Sequence, residues 1–165
     1  MRNPTEAGVP SVGVKMMDRD HDEISGMVVE LNNQAAAGNP WDRTGRLLRE
    51  LMRATASHYS LEEAMMDMAT YPEAAIHRLR HEWMIDQMRV LLARSRESGL
   101  GANEPLLELL SQSHDEHMHT EDLRFGIWLN TEPARRADAA AGIANAQKQR
   151  AIAGPSRPHA THPLL

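Results

Sequence analysis

His58 and Glu62 lie four residues apart, and so do His77 and His81. On an α-helix that spacing stacks two side chains on one face, one turn apart. Each pair also continues a run of apolar residues at helical steps. From His58, steps back of three and seven reach Thr55 and Leu51, and steps on of seven and eight reach Met65 and Met66. From His81, steps of three, seven and ten reach Met84, Met88 and Leu91. The imidazoles and the Glu62 carboxylate therefore point into a helical core. An unpartnered ionised carboxylate there costs several kcal/mol, of order 5 or more. Something inside must satisfy it.

The same periodicity lays out the rest of the chain. Met17, Ile24, Met27, Val28 and Leu31 mark an amphipathic helix over about residues 15–34. Gly38 and Pro40 end it, and a second helix runs over about 42–68 with Leu47, Leu48, Leu51 and Met52 on its stripe. Pro72 suits the first turn of a third helix, which carries Ile76 and Met84 and stops near Gly99 and Gly101. Pro105 opens a fourth, over about 106–129. Four helices of about 20 residues with short connections predict an all-α fold, an antiparallel up-down-up-down four-helix bundle. Residues 1–130 form that bundle, with 1–14 as a lead-in lacking helical period. Over 131–165 Ala, Arg and Pro dominate and large apolar residues nearly vanish. That composition predicts a flexible tail outside the core, with transient helix over 134–152.

Composition narrows the function. The chain has 165 residues, enough for one sizeable core, and a net charge of −5. That balance argues against nucleic acid as a partner, since a phosphate backbone calls for a basic field. Cysteine is absent, which excludes disulfide frameworks, thiolate zinc sites, iron–sulfur clusters and cysteine nucleophiles. No run of about 20 apolar residues spans a membrane. The first residues lack the apolar segment of a secretory signal, so the expected location is cytoplasmic. The eleven methionines follow the helical stripes and read as core packing rather than a copper site.

Every predicted helix contributes at least one inward polar group. His21 lies near the start of the first, His58 and Glu62 on the second, His77 and His81 on the third, and His117 with a nearby carboxylate on the fourth. Helix geometry alone pairs His117 with Glu121, four residues on. Asp122 is five on, a rotation of about 140° from the same line. Five imidazoles and two carboxylates exceed what one tetrahedral zinc uses, but suit two octahedral first-row ions bridged by carboxylates. The ferritin-like di-iron pattern needs four carboxylates and two Glu-x-x-His motifs, which do not occur here with the required spacing.

Over about residues 9–130 the chain resembles the hemerythrin family in its bacterial single-domain form. The resemblance rests on VGVKMMDRDH with His21, HYSLEE with His58 and Glu62, YPEAAIHRLRH with His77 and His81, and HMHTED with His117 and Asp122. It implies a non-haem site of two iron ions with an oxo or hydroxo bridge. His77, His81 and His117 would hold one iron, and His21 and His58 the other, which keeps an open position for dioxygen. Glu62 and Asp122 would bridge the two; family spacing thus favours Asp122 over Glu121. In that family dioxygen bound at the open iron is reduced to hydroperoxide as both irons become ferric.

The resemblance also marks departures. The family often has Phe where Tyr59 stands, Trp-Leu where Ser113 and His114 stand, and an aromatic at Met84, with Trp83 beside it. These positions line or cover the oxygen pocket, so a more polar lining would admit water and protons. His114 is expected partly exposed on the bundle flank, with proton relay or spare ligand as the alternative. His159 and His162 in the tail read as solvated, and the Glu-Glu pair 62–63 as a mostly exposed helix face apart from Glu62 itself. The expected function is oxygen binding as carrier, store or delivery protein, with dioxygen as partner and no enzymatic turnover. Alternatives are an oxygen or redox sensor reporting through the tail, a peroxidase-like or NO-handling di-iron enzyme, and a structural site for an inert ion such as zinc.

Overall fold

The structure is a computed structural model that describes residues 10–100 and 103–153. Its elements are α1 (Lys15–Ala36), α2 (Trp41–Met68), α3 (Ala74–Ser98), α4 (Glu104–His117), a π-helical turn (Met118–Asp122), α5 (Leu123–Asn130) and α6 (Pro133–Ala153). There is no strand among the described residues. The all-α bundle predicted from periodicity is the observed architecture.

Two apolar clusters form the core. One gathers Ile24, Leu31, Leu48, Leu51, Met84, Met88, Leu91, Leu107 and Leu110. The other gathers Met17, Met65, Met66, Tyr71, Phe125 and Leu129. The order in which the helices meet them alternates. α1 runs from Met17 to Leu31, α2 from Leu48 to Met66, α3 from Ala74 to Leu91, and α4 with α5 from Leu107 to Leu129. Neighbouring helices that reverse direction must alternate in this way. On each of the four rods the buried His, Glu and Asp residues fall between the two clusters, so the bundle holds a polar layer across its middle.

The turns follow from local chemistry. α3 ends where Gly99 takes φ +82°, a conformation that side-chain-bearing residues rarely adopt, and its N–H caps Ser95 O. Pro105 occupies the first turn of α4, where its missing N–H costs nothing.

The fourth rod departs from a single α-helix. Leu110, Ser113, His114 and His117 are buried at α-helical spacing, but the next buried set is Met118, Asp122, Phe125 and Leu129. The inward stripe slips by one residue between His117 and Asp122, and the π turn absorbs that slip.

The C-terminal segment also departs from expectation. Where composition predicts a flexible tail, Pro133–Ala153 is helix α6, packed along α2 and against α5. It docks through small residues. Ala139 is buried against Met65 and Leu129, and Ile143 packs beside it. A Cβ on Gly142 would lie 2.5 Å from Ala64 O, so the two helix backbones approach closely there. Arg135 lies over the Trp128 ring, 4.3 Å from its centroid. Such an interface needs few large apolar side chains, and their scarcity was the reason for expecting a tail. Residues 154–165, with His159 and His162, and the first part of the lead-in, 1–9, lie outside the described residues.

Candidate metal centre

All seven residues named from the sequence, Asp122 among them through the family resemblance, converge on the polar layer. His21, His58, Glu62, His77, His81, His117 and Asp122 are each 2% exposed or less. They form two overlapping groups. One atom from each of Glu62, His77, His81, His117 and Asp122 lies within 4.8 Å of all the others. The same holds for His21, His58 and Asp122.

Asp122 joins the groups through its two oxygens. Oδ1 is 3.0 Å from His117 Nε2 and 3.1 Å from His77 Nε2, while Oδ2 is 3.2 Å from His21 Nε2. Glu62 Oε2 lies 3.3 Å from His81 Nε2, 3.6 Å from His77 Nε2 and 3.8 Å from His58 Nε2. The choice between Glu121 and Asp122 resolves through the π turn, which turns Asp122 inward. Glu121 instead faces the other side of the same imidazole, 3.3 Å from His117 Nδ1.

The donor set fits a metal. All five imidazoles aim Nε2 at the centre, with Nε2–Nε2 contacts of 3.0 Å (His21–His58), 3.1 Å (His81–His117) and 3.3 Å (His77–His117). Such a contact is satisfied only where one nitrogen carries a proton and the other a lone pair, which a converging set cannot achieve throughout. Both oxygens of Glu62 and Oδ2 of Asp122 are buried without a hydrogen-bond partner. Cations between these atoms would satisfy lone pairs that protons leave unmet.

Charge is consistent with that fit. Burial, the largest influence on Asp122, works to raise its pKa, yet His117, His21 and His77 hold the carboxyl well below its ordinary range. Burial and Asp122 work likewise on Glu62, and His81, His77 and His58 outweigh them to lower it. Both carboxylates are thus anionic at the centre. Against burial, Asp122 pushes His117 up to about 10, and Glu62 with Glu63 raises His81. Without a metal, protons take up part of the role a cation would fill.

A second ring of carboxylates lies outside Glu62 and Asp122; of these, spacing offered Glu121 as a partner of His117 and missed Glu63 and Asp20. Glu63 Oε1 accepts from His81 Nδ1 at 2.9 Å, Glu121 faces His117 Nδ1, and Asp20 Oδ2 lies 3.8 Å from His58 Nδ1. Such outer partners fix the ring orientation of a ligating histidine. Their signal was an acidic residue beside an inward one, as in Glu62–Glu63, Glu121–Asp122 and Asp20–His21. Glu63 is therefore not the plain solvated residue expected of the Glu-Glu pair.

Other expectations change too. His114 is 5% exposed rather than on the flank, and its Nε2 lies 3.4 Å from Ser25 Oγ. Burial, then neighbouring His21, pushes its pKa down to about 3, so it is uncharged. His119 turns away and bonds Asp115 O at 2.8 Å. Tyr59 stacks flat on His81 with ring centroids 3.7 Å apart, and its buried hydroxyl has no partner. A groove of about 400 Å³ between α2 and α3 reaches Tyr59, Glu63 and His81 from outside.

No helix among the described residues is long and apolar enough to cross a membrane. The Hemerythrin HHE cation binding domain matches residues 12–128. The chain is similar to a bacteriohemerythrin of Stenotrophomonas maltophilia, 28% identical over 114 residues that make up 68% of this chain and 72% of that one. It is similar to a bacteriohemerythrin of Pseudomonas aeruginosa at 27% over 112 residues, again 68% and 72% of the two chains. No solved structure matches. The matched span contains all seven clustered residues, and the chain belongs to the hemerythrin family of non-haem iron, oxygen-binding proteins.

Proposed function

We propose that the polar layer holds two iron ions and that the protein binds dioxygen reversibly there, as carrier, store or delivery protein. His77, His81 and His117 hold one iron, His21 and His58 the other, and Glu62 and Asp122 bridge them with a solvent-derived oxo or hydroxo group. The observation that carries this reading is Asp122, which belongs to both groups of converging atoms with one oxygen toward each. Three imidazoles in one group and two in the other favour an open position on the side of His21 and His58.

Two adjacent irons supply two one-electron steps and a place for dioxygen to bind without haem. The chain supplies the rest. Met17, Met65, Met66 and Phe125 close the layer from one apolar cluster, and Ile24, Leu51 and Met84 from the other, which limits entry of water. Glu63 accepts from His81 Nδ1, and the Glu121 carboxylate faces His117 Nδ1, so both Nε2 atoms are directed to the centre.

Iron stoichiometry on anaerobically reduced protein, with the visible spectrum followed through air exposure and then vacuum, tests the proposal. Two irons per chain and a charge-transfer band that appears in air and fades under vacuum are expected. Failure to hold two irons would overturn it. A band that appears once and persists would favour redox sensing or peroxide chemistry. Sensing has one observation in its favour: α6 is docked on α2, the helix that carries His58 and Glu62.

A further inference from the structure

A buried methionine stands within one helical turn of a clustered ligand on every rod of the bundle. Met17 lies four residues before His21 on α1, and Met65 and Met66 lie three and four after Glu62 on α2. Met84 lies three after His81 on α3, and Met118 four before Asp122 in the π turn. Residues so spaced stack on one face of a helix, one turn apart. All five are between 0% and 3% exposed. Met17, Met65 and Met66 belong to the apolar cluster on one side of the polar layer, and Met84 to the cluster on the other. Met118 Sδ accepts from Ser25 Oγ at 3.7 Å, and Ser25 lies one turn after His21.

Core packing alone does not call for sulfur at these places, since Leu fills nearly the same volume. Leucine takes over farther out. Leu51 and Leu110 stand seven residues from the nearest clustered ligand, and Leu31, Leu48, Leu91 and Leu107 stand ten. Among the described residues Met88 is the one buried methionine at that range.

A thioether differs from a leucine side chain in being a two-electron reductant. Hydrogen peroxide transfers one oxygen atom to it: the O–O bond breaks, an S–O bond forms, sulfur loses two electrons, and the other oxygen leaves with both protons as water. Two adjacent irons that give one electron each, with two protons from solvent, convert dioxygen to that peroxide. Formed behind apolar walls, it meets the neighbouring thioethers at a far higher effective concentration than any peroxide in solution.

Building on the two-iron reading, we propose that Met17, Met65, Met66, Met84 and Met118 are modification sites: they capture hydrogen peroxide shed by the centre and become sulfoxides before it reaches solvent. These methionines are then an internal sink for the by-product of oxygen binding, as well as core packing. Accessibility alone would set the reverse order, with Met68, which is 47% exposed, oxidised first.

The test compares two full-length samples. Iron-loaded protein is carried through repeated reduction and air oxidation with catalase in solution, and metal-free protein is treated with added hydrogen peroxide. Mass spectrometry with peptide fragmentation reads the sulfoxide at each methionine. In the cycled protein the five are expected to carry about ten times the sulfoxide found at Met68, because catalase destroys the peroxide that escapes. Metal-free protein should show Met68 oxidised first. Two irons per chain with sulfoxide confined to Met68 and the half-buried methionines, the same pattern in both samples, or no sulfoxide after cycling would overturn the inference and leave the iron reading standing. A chain that binds no iron would remove both.

Discussion

His117 and Asp122 are five residues apart in sequence, yet Nε2 of one is 3.0 Å from Oδ1 of the other. An α-helix would turn them about 140° apart; the π turn over Met118–Asp122 brings both inward. Glu121, four residues from His117, faces the opposite side of that imidazole. A π turn placed at a site in this manner serves geometry that regular helix cannot supply.

Deleting Thr120, whose side chain is exposed, converts the five-residue step to the four that an α-helix places on one face. The deletion is expected to straighten the fourth rod and keep iron at two per chain, because His117 and Asp122 still share a face. Iron analysis with a melting curve checks this. Loss of iron would mean that the bulge itself, rather than the inward direction of Asp122, builds the centre.

Glu62→Gln keeps the shape of the side chain but removes an anion buried without a hydrogen-bond partner. Iron content is expected to fall from two per chain to one or fewer. Iron binds the folded chain preferentially, so the loaded wild-type protein melts above its stripped form. The variant should show little or no such gap, a difference that calorimetry with and without iron measures directly.

The fold was legible because helical periodicity and inward polar residues agreed on the same faces. His58, Glu62, His77 and His81 were found by a four-residue step along apolar stripes, and the structure brings all of them into one layer. Asp122 was not derivable that way, since a π turn leaves no mark in a search for α spacing; family resemblance alone favoured it. Glu63 and Asp20 escaped because a residue next to an inward ligand points sideways and counts as exposed. α6 was missed because its docking uses Ala139 and Gly142, residues too small to register as an apolar stripe.

The metal-free protein should be most stable near pH 6.5, by two opposed histidines. His114, with a folded pKa of about 3 against an ordinary 6.5, contributes stability above pH 6.5 that is lost as pH falls toward 3. His117, raised to about 10, contributes stability that is full below pH 6.5 and is lost as pH rises toward 10. The lowered carboxyls of Asp122 and Glu62 add to the loss in acid. Iron takes the place of the proton on His117, so loading should flatten the alkaline limb. Melting curves of both forms between pH 5 and 9 test this, and a monotonic profile for the stripped protein would contradict it.

Gly142→Leu tests whether α6 is held by close backbone approach. A Cβ at this position meets Ala64 O at 2.5 Å and the Met68 side chain at 3.0 Å, so a larger residue forces the helices apart. The ligand residues all lie on α1 to α4 and the π turn, and both apolar clusters are built chiefly from those elements and α5. Undocking should therefore leave iron content at two per chain and lower the melting temperature by only a few degrees, a loss on the order of 1 kcal/mol. Limited proteolysis should cut the variant within 133–153 much faster than the wild type. If the cleavage rate instead depends on oxygenation in the wild type and no longer does so in the variant, α6 reports the state of the centre and the sensing reading gains its mechanism. Equal cleavage in oxygenated and deoxygenated wild type would leave α6 a structural strap.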